Sequence, residues 1–363
     1  MPQPANRPTL HAKLSSSDNA LGAVRLMLAV LVIFGHAFPL GGFQSFQFGP
    51  FIHSGLHGAA VDGFFVISGY LIFASALRTR TLAYFWRRFL RIYPGYLVAI
   101  LVTAFLFAPL GSVLEAGTKW EAASAIHYVT GALDLKPSQD GIENTLNQVP
   151  WPHTWNGSLW TLFYEALAYV GVAVLCVANP VRTRVHIIVP ALTLMATLAY
   201  VTLPPTFFSS TFSSAFGAIA DNGLRLWTHF LWGMLAYVAG KHIRFNRISF
   251  FGSTVLFLFL THTSVLPETS GKIVGLISLV VAVLSAGSVL KTRIGSNTDL
   301  SYGIYIYAFP VQQLLILCGI ANFGWLVTAL SCVSITAVLA LLSWKFVELP
   351  AINLKHLVPA RHW

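Results

Sequence analysis

Long apolar segments joined by short polar links run through nearly all of this 363-residue chain, and they restrict its fold sharply. A helix needs about 20 apolar residues to cross a bilayer, because each residue adds only ~1.5 Å to its length. A transmembrane barrel would instead show shorter segments of alternating polarity. Only 9% of the residues are charged, whereas a soluble domain has about 25%. The sequence therefore predicts an all-α polytopic membrane protein.

The apolar pattern predicts about ten transmembrane helices with short loops between most of them. They form a transmembrane domain over residues 20–345, between an N-terminal tail of residues 1–19 and a C-terminal tail of residues 346–363. The predicted spans are 20–40, 58–77, 93–114, 157–178, 186–203, 223–240, 248–265, 271–290, 300–318 and 323–344.

Basic residues fall mainly on one side of these spans. If the N-terminus is cytoplasmic, all but four of the 22 Lys and Arg residues lie on the cytoplasmic side. The four exceptions are Lys119, Lys136, Arg225 and Lys272. Cytoplasmic loops carry an excess of Lys and Arg, so the bias predicts that both termini are cytoplasmic. It also accounts for the net charge of +10, so that nucleic acid is not an expected partner.

Arg25 and His36 both lie inside the first predicted span. An ionisable side chain in a membrane is costly unless it is paired or faces water, so both residues are functional candidates. At about 100° and ~1.5 Å per residue, their spacing places them on one helical face, about 16 Å apart. One of them can therefore bind a ligand near a membrane surface while the other acts deeper in the membrane.

The link after the second span carries the cluster Arg87, Arg88 and Arg91. Arg88 and Arg91 are neighbours on one helical face, whereas Arg87 points about 100° away from Arg88. The pattern predicts a short amphipathic helix that ends near Pro94. Two roles fit this helix. It can bind anionic lipid headgroups, or it can form a cytoplasmic site for a phosphorylated ligand such as a coenzyme A ester.

Three ionisable residues enter the predicted membrane region from the outer side, namely His36, Asp62 and Glu165. Together they can form a base with an orienting carboxylate, or a structural polar cluster. The sequence does not choose between Asp62 and Glu165 as the partner. Ser68 interrupts the second span and can donate a hydrogen bond to a ligand, whereas Gly69 is expected to allow close helix packing.

Tryptophans are concentrated in the stretch Val149–Trp160, before and at the start of the fourth span. Such rings serve either as membrane-interface anchors or as surfaces for sugar stacking. The predicted acceptor contacts are Trp155, Trp160 and the nearby Tyr164. No CxxC or HExxH motif is present, so no metal site is expected.

Four stretches, in this order, resemble the membrane-bound acyltransferase family 3. They are Arg25-x10-His36; Val61–Ile72 with Arg87–Pro94; Ser158–Glu165; and Leu300–Pro310 with Phe346–Pro350. The resemblance covers roughly residues 20–350. Many relatives carry a histidine shortly before the proline of the ninth-span motif, where this chain has Ala308, so no role for that histidine can be carried over.

The resemblance implies an enzyme of the bacterial cytoplasmic (inner) membrane that transfers an acyl group, commonly acetyl, from cytosolic acyl-CoA to a carbohydrate hydroxyl. It implies that His36 is essential and that Arg25, Arg88 and Arg91 bind the donor, with Arg87 and Ser68 as further candidates. The expected partners are acetyl-CoA, an exopolysaccharide unit or lipid-linked saccharide, the lipid bilayer, and polysaccharide assembly machinery.

These expectations combine into a mechanism. The acyl-CoA phosphates bind the arginines, the pantetheine arm extends toward His36, and His36 acts as general base on a sugar hydroxyl. A covalent acyl-histidine is a variant, and Asp62 or Glu165 orients the imidazole. A transporter or flippase for lipid-linked saccharide is the alternative, because it would use the same intramembrane charges. The inverted repeats typical of transporters are not seen in the sequence.

Overall fold

The structure is a computed structural model that describes residues 8–16, 18–44, 55–177, 182–212, 214–263, 265–296 and 298–359. Throughout these residues the regular structure is helical, with no β-strand among them. The helices are α1 (Leu10–Ser15), α2 (Leu21–Leu40), α3 (Gly55–Ala76), α4 (Thr81–Val102), α5 (Ala108–Leu114), α6 (Ala122–Thr130), α7 (Trp160–Val177), α8 (Val185–Thr202), α9 (Phe207–Thr211), α10 (Ser214–Ala239), α11 (Arg247–His262), α12 (Glu268–Val289), α13 (Ser301–Leu317), α14 (Trp325–Ser343) and α15 (Leu349–Asn353).

Within the described residues, seven helical stretches are long and apolar enough to cross a membrane. The predicted all-helical membrane class is therefore confirmed. Of the remaining predicted spans, α11 and α13 have only 16 and 17 residues, and α10 carries Asp221 and Arg225. The seven stretches are Leu21–Leu40, Gly55–Ala76, Thr81–Leu114, Trp160–Val177, Val185–Thr202, Glu268–Val289 and Trp325–Leu357.

The arginine cluster does not form a short helix of its own. Helix α4 runs without interruption from Thr81 through Pro94, and a π-helical turn at Thr103–Phe107 joins it to α5. The predicted helix end near Pro94 is therefore wrong. Proline removes only one backbone donor from a helix, and long membrane helices tolerate this loss because neighbouring groups satisfy the freed carbonyl. The arginines consequently lie on the same rigid helix as the third span.

The chain forms two compact units whose segments alternate along the sequence. Arg25, Asp62 and Ser68 belong to unit 1, whereas His36 and Glu165 belong to unit 2, as does the arginine cluster. Unit 1 consists of Met1–Arg25, Gln47–Arg78 and Val170–Asn297, and unit 2 consists of Leu26–Phe46, Thr79–Tyr169 and Thr298–Trp363.

Close packing of α3 against α10 is a central feature of unit 1. Gly69 of α3 lies against the backbone of Phe230, and Gly233 of α10 lies against the backbone of Val66. Small residues at such positions let the backbones of membrane helices approach closely. The predicted packing role of Gly69 is therefore confirmed.

Replacing Gly69 with valine should destabilise unit 1, because a Cβ at this position would overlap the carbonyl group of Phe230. Overpacking of this kind costs typically about 1–3 kcal/mol. The measurement is the thermal unfolding temperature of the purified protein in nanodiscs. Gly171→Val is the matched control, since the space around Gly171 is open. Equal unfolding temperatures for the two variants would contradict the packing interpretation.

Helix α13 is the most buried element of unit 2, and hydrogen bonds set its register against the start of α7. The Asn156 side chain donates to the backbone oxygen of Ile306 at 2.8 Å. The Tyr305 hydroxyl donates to the backbone oxygen of Ser158 at 2.8 Å. Within α7, Thr161 is hydrogen-bonded to the Tyr305 hydroxyl at 2.6 Å. Glu165, one turn later, interacts electrostatically with Tyr302, which precedes Tyr305 on α13. The two helices therefore run antiparallel.

Candidate functional site

His36 lies near the C-terminal end of α2 and is partly buried. Its Nδ1 atom is 3.1 Å from the backbone oxygen of Val32, one helical turn earlier. A proton on Nδ1 makes this contact a hydrogen bond and leaves the lone pair on Nε2, at the far side of the ring. In this tautomer Nε2 is the nitrogen that can act as a general base.

Two successive aromatic ring contacts connect His36 with the exposed loop that contains Trp151. The ring of Phe309 on α13 packs edge-on against His36, with centroids 5.5 Å apart and planes at 69°. Phe309 also packs edge-on against Trp151, with centroids 6.5 Å apart. Phe309 is buried, whereas Trp151 is 44% exposed. The candidate base is therefore two ring contacts away from an accessible indole.

Two consecutive glutamines attach the surrounding elements to α13. The Gln312 side chain donates to the backbone oxygen of Ile33 on α2 at 2.9 Å. The Gln313 side chain donates to the backbone oxygens of Trp151 and Thr154 at 2.9 and 2.8 Å. Both glutamines are buried. They are not among the site residues predicted from the sequence, although two amides inside an apolar span are a recognisable signal of helix-to-helix hydrogen bonding.

Glu165 lies at a different level of unit 2 from His36. The antiparallel register brings it to the Tyr302 end of α13, where it interacts electrostatically with Tyr302. Phe309, which contacts His36, is about 10 Å further along α13 at ~1.5 Å per residue. Glu165 accepts a hydrogen bond from the Tyr169 hydroxyl at 2.5 Å. The geometry therefore disfavours the prediction that Glu165 orients His36.

Asp62 has basic partners within unit 1. Its Oδ1 atom is 3.3 Å from Nε of Arg225 and 3.8 Å from Nδ1 of His229. Arg225 and His229 are one turn apart on α10, and His229 is buried. Their i, i+4 spacing in an apolar helix was the signal in the sequence. Asp62 is therefore paired with basic residues of its own unit, whereas its partnership with His36 stays a prediction.

Arg91 is held between two carboxylates. Its Nη2 atom is 2.5 Å from Oδ2 of Asp299, and its Nη1 atom is 3.1 Å from Oε2 of Glu348. Its guanidinium also lies over the ring of Tyr302 at 5.4 Å. The side chains of Glu348 and Arg91 are only 1% and 17% exposed. Arg91 is therefore engaged by protein groups, whereas the sequence predicted that it binds the donor.

Further hydrogen bonds fix the two carboxylates. Asp299 accepts from the backbone nitrogen and the hydroxyl of Ser301, at the start of α13. Glu348 accepts from the Ser343 hydroxyl at 3.0 Å. Glu348 ends a π-helical turn, Trp344–Glu348, that continues α14. Such turns are rare and frequent at functional sites, and here the turn carries the buried carboxylate.

Arg87 and Arg88 lie one turn before Arg91 on α4, and their environment is different. Their Nε atoms are buried and have no hydrogen-bond partner among the described residues. Arg88 also interacts electrostatically with Tyr169. A buried donor without an acceptor is costly, and an anion satisfies guanidinium donors well. These two arginines fit the predicted phosphate site better than Arg91 does.

The predicted acceptor contacts differ in accessibility. Trp155 is fully buried, and its indole nitrogen donates to the Thr145 hydroxyl at 2.8 Å. It therefore supports the loop and has no ring face open to a sugar, which corrects its predicted role. Trp160 is 37% exposed and packs edge-on against Tyr164, which is only 6% exposed. Trp151, which was not selected from the sequence, is the more exposed ring.

Arg25 and Ser68 lie on spanning helices, as predicted. Helix α2 is continuous from Leu21 to Leu40, so Arg25 and His36 are carried by one helix. Because this helix is uninterrupted, the eleven-residue spacing places both side chains on one helical face, as the sequence predicted. Ser68 lies in the middle of α3, directly before Gly69.

In the described part of the chain, seven helices long and apolar enough to cross a membrane, two of which carry a partly buried histidine and partly buried arginines, define a multi-pass membrane protein. The chain matches the family described as "Acyltransferase domain" over residues 18–344, and it belongs to that family. The resemblance inferred from the four sequence stretches is thus confirmed.

Two curated relatives are similar over almost their whole length. The chain is 29% identical to the O-acetyl transferase of Shigella phage Sf6, over 91% of this chain and 95% of that protein. It is 27% identical to Nodulation protein 10 of Rhizobium leguminosarum bv. viciae, over 96% of each. No solved structure matches the chain.

Proposed function

We propose that this protein is a membrane O-acyltransferase that moves an acyl group, foremost acetyl, from cytosolic acyl-CoA to a hydroxyl of an exopolysaccharide unit or lipid-linked saccharide. Family membership supports acyl transfer, and the name of the phage relative supports an O-linked product. The observation that carries the proposal is the match to the acyltransferase family over residues 18–344, a range that includes His36. With its proton on Nδ1 toward the Val32 oxygen, the imidazole has its basic atom at Nε2.

The proposed topology has ten spans and two cytoplasmic termini in a bacterial cytoplasmic membrane. A helix in each of the ten predicted spans supports the count, and the distribution of Lys and Arg supports the orientation. In this orientation Arg87 and Arg88 are on the cytoplasmic side, where acyl-CoA is available. The His36 end of α2 and the Trp151 loop are on the outer side.

In the proposed reaction, His36 Nε2 takes the proton of the acceptor hydroxyl as its oxygen attacks the thioester carbonyl carbon. The new C–O bond forms, the C–S bond breaks, and the coenzyme A thiolate takes the proton from the imidazolium. The products are an ester and free thiol, and His36 returns to its starting state. A positioned general base contributes typically about 10²–10⁴-fold to rate. Transfer through an acyl-histidine is the covalent variant.

The proposed donor site uses Arg87 and Arg88 for the phosphate groups, since both side chains are only half-buried and their Nε atoms have no acceptor among the described residues. Arg25 and Ser68 are further proposed contacts. Arg25 shares helix α2 with His36 about 16 Å away at ~1.5 Å per residue, which matches the reach of a pantetheine arm. Acyl-CoA is therefore proposed to extend along this face toward the base.

Replacing Arg88 with methionine should raise the KM for acetyl-CoA about ten-fold and change kcat little, because one charge-assisted contact to phosphate is lost. Initial rates of thiol release at varied acetyl-CoA concentrations give both constants. Arg80→Met is the matched control, since Arg80 is an exposed arginine just before the same helix. Equal KM values for the two variants would refute the assignment of Arg88.

The experiment that tests the whole proposal measures thiol release from acetyl-CoA by the protein in lipid nanodiscs, with lipid-linked oligosaccharide as acceptor. Acceptor-dependent release together with ester formation is the expected result. A transporter or flippase would move the saccharide between leaflets and release no thiol. Absence of both thiol release and acetyl-CoA binding would favour that alternative.

A further inference from the structure

We propose that Trp151 forms the platform for the acceptor saccharide, with its indole stacked against the apolar face of a pyranose ring. This inference rests on the proposed acyltransferase function, because it assigns the acceptor site of that reaction. Trp151 takes the acceptor-binding role that the sequence predicted for Trp155, because Trp155 is fully buried.

Trp151 has a large accessible ring, and its backbone is held in place by neighbouring residues. Its backbone oxygen accepts a hydrogen bond from the buried Gln313 side chain at 2.9 Å. The preceding Pro150 packs against Gly42, just beyond the end of α2. An indole offers a large amphipathic surface with few rotatable bonds. Mounting it rigidly lowers the conformational entropy that binding must remove.

The loop around Trp151 holds its shape through several constraints. The backbone nitrogen of His153 donates to the oxygen of Leu146, and that of Trp155 donates to the oxygen of Asp140, both at 2.9 Å. His153 and Leu146 both have φ of +57°. Residues other than glycine adopt this left-handed conformation at an energetic cost, which persists only where the surrounding structure imposes it, commonly at binding sites. The loop is therefore preorganised.

Trp151 also lies close to the candidate base, His36. Trp151 and His36 contact the same ring, that of Phe309, at centroid distances of 6.5 and 5.5 Å. The Trp151 and His36 ring centroids are therefore at most 12 Å apart, with the buried Phe309 ring between them. A saccharide held by Trp151 is proposed to present one of its hydroxyls to His36.

A membrane-interface anchor is the competing role for an exposed tryptophan at this level. An anchor accounts for the exposure of Trp151. An anchor does not require the hydrogen bond from Gln313 to the Trp151 backbone, or the edge-on contact between Trp151 and Phe309. The two roles differ in what a substitution changes, since an anchor affects stability and an acceptor platform affects the acceptor KM.

The test compares cyclic and acyclic acceptors in nanodiscs with acetyl-CoA as donor. The probes are the methyl α-pyranosides of glucose, mannose and galactose, and glycerol. Trp151→Ala should raise the KM for the best pyranoside about ten-fold, and that for glycerol by no more than about two-fold, because glycerol has no ring face to stack. Trp151→Phe should recover most of the pyranoside affinity. Phe323→Ala is the control, since Phe323 is a 72% exposed aromatic residue of the same unit.

Each outcome decides between the roles. A KM for pyranosides that is unchanged in Trp151→Ala, or an equal loss for pyranosides and glycerol, overturns the platform and leaves the acyltransferase intact. A lowered unfolding temperature with unchanged KM identifies a membrane anchor instead. Failure of the unaltered protein to form an ester with any of these alcohols, or with lipid-linked oligosaccharide, overturns the proposed function and this inference with it.

Discussion

Replacing His36 with alanine should lower kcat for acyl transfer by about 10²–10⁴-fold, the usual contribution of a positioned general base. The reason is geometric. The Val32 oxygen holds Nδ1 at 3.1 Å, so Nε2 is the atom that accepts the proton of the acceptor hydroxyl. The measurement is thiol release and ester formation from acetyl-CoA in nanodiscs, at equal amounts of folded protein.

His262→Ala is the matched control for this experiment. His262 also places Nδ1 near the backbone oxygen one turn earlier, that of Leu258, at 2.9 Å. It lies at the end of α11, in unit 1, and should be dispensable. Full activity of His36→Ala would refute the assignment of His36. A mass increase of one acetyl group on His36, found after mixing with acetyl-CoA alone, would favour the acyl-histidine variant over direct transfer.

Replacing Arg91 with methionine should destabilise the protein by about 3–5 kcal/mol, the typical cost of removing one partner from a buried ion pair. The substitution leaves Asp299 and Glu348 without the guanidinium that holds them at 2.5 and 3.1 Å. Glu348 is almost completely buried and cannot regain hydration. The measurement is the unfolding temperature and the yield of folded protein.

The triple variant Arg91→Met, Asp299→Asn and Glu348→Gln separates a structural role from donor binding. It removes all three charges, so no isolated carboxylate remains, and neutral replacement of a buried ionic cluster is often tolerated. We expect most of the lost stability to return, with a KM for acetyl-CoA near that of the unaltered protein. If the triple variant is stable but its KM rises as much as that of Arg88→Met, then Arg91 does contact the donor.

Local features of the chain were sufficient for the fold class, the approximate helix positions and the family. Apolar length is a property of consecutive residues, and bilayer thickness turns it directly into a spanning helix. Helical periodicity is equally local, so the shared face of Arg25 and His36 followed from their spacing. The packing role of Gly69 could be predicted for the same reason, since a small residue in an apolar helix already indicates close contact.

Partner choice and exposure depended on contacts between residues far apart in the sequence. Arg91 pairs with Asp299 and Glu348, which lie 208 and 257 positions away, and no local pattern announces such a pairing. The register of α7 on α13 moved Glu165 away from the level of His36. Trp155 is buried and Trp151 is exposed, although the two tryptophans are only four residues apart in the sequence. These outcomes were set by packing, because local sequence states which groups need a partner, whereas three-dimensional proximity selects the partner.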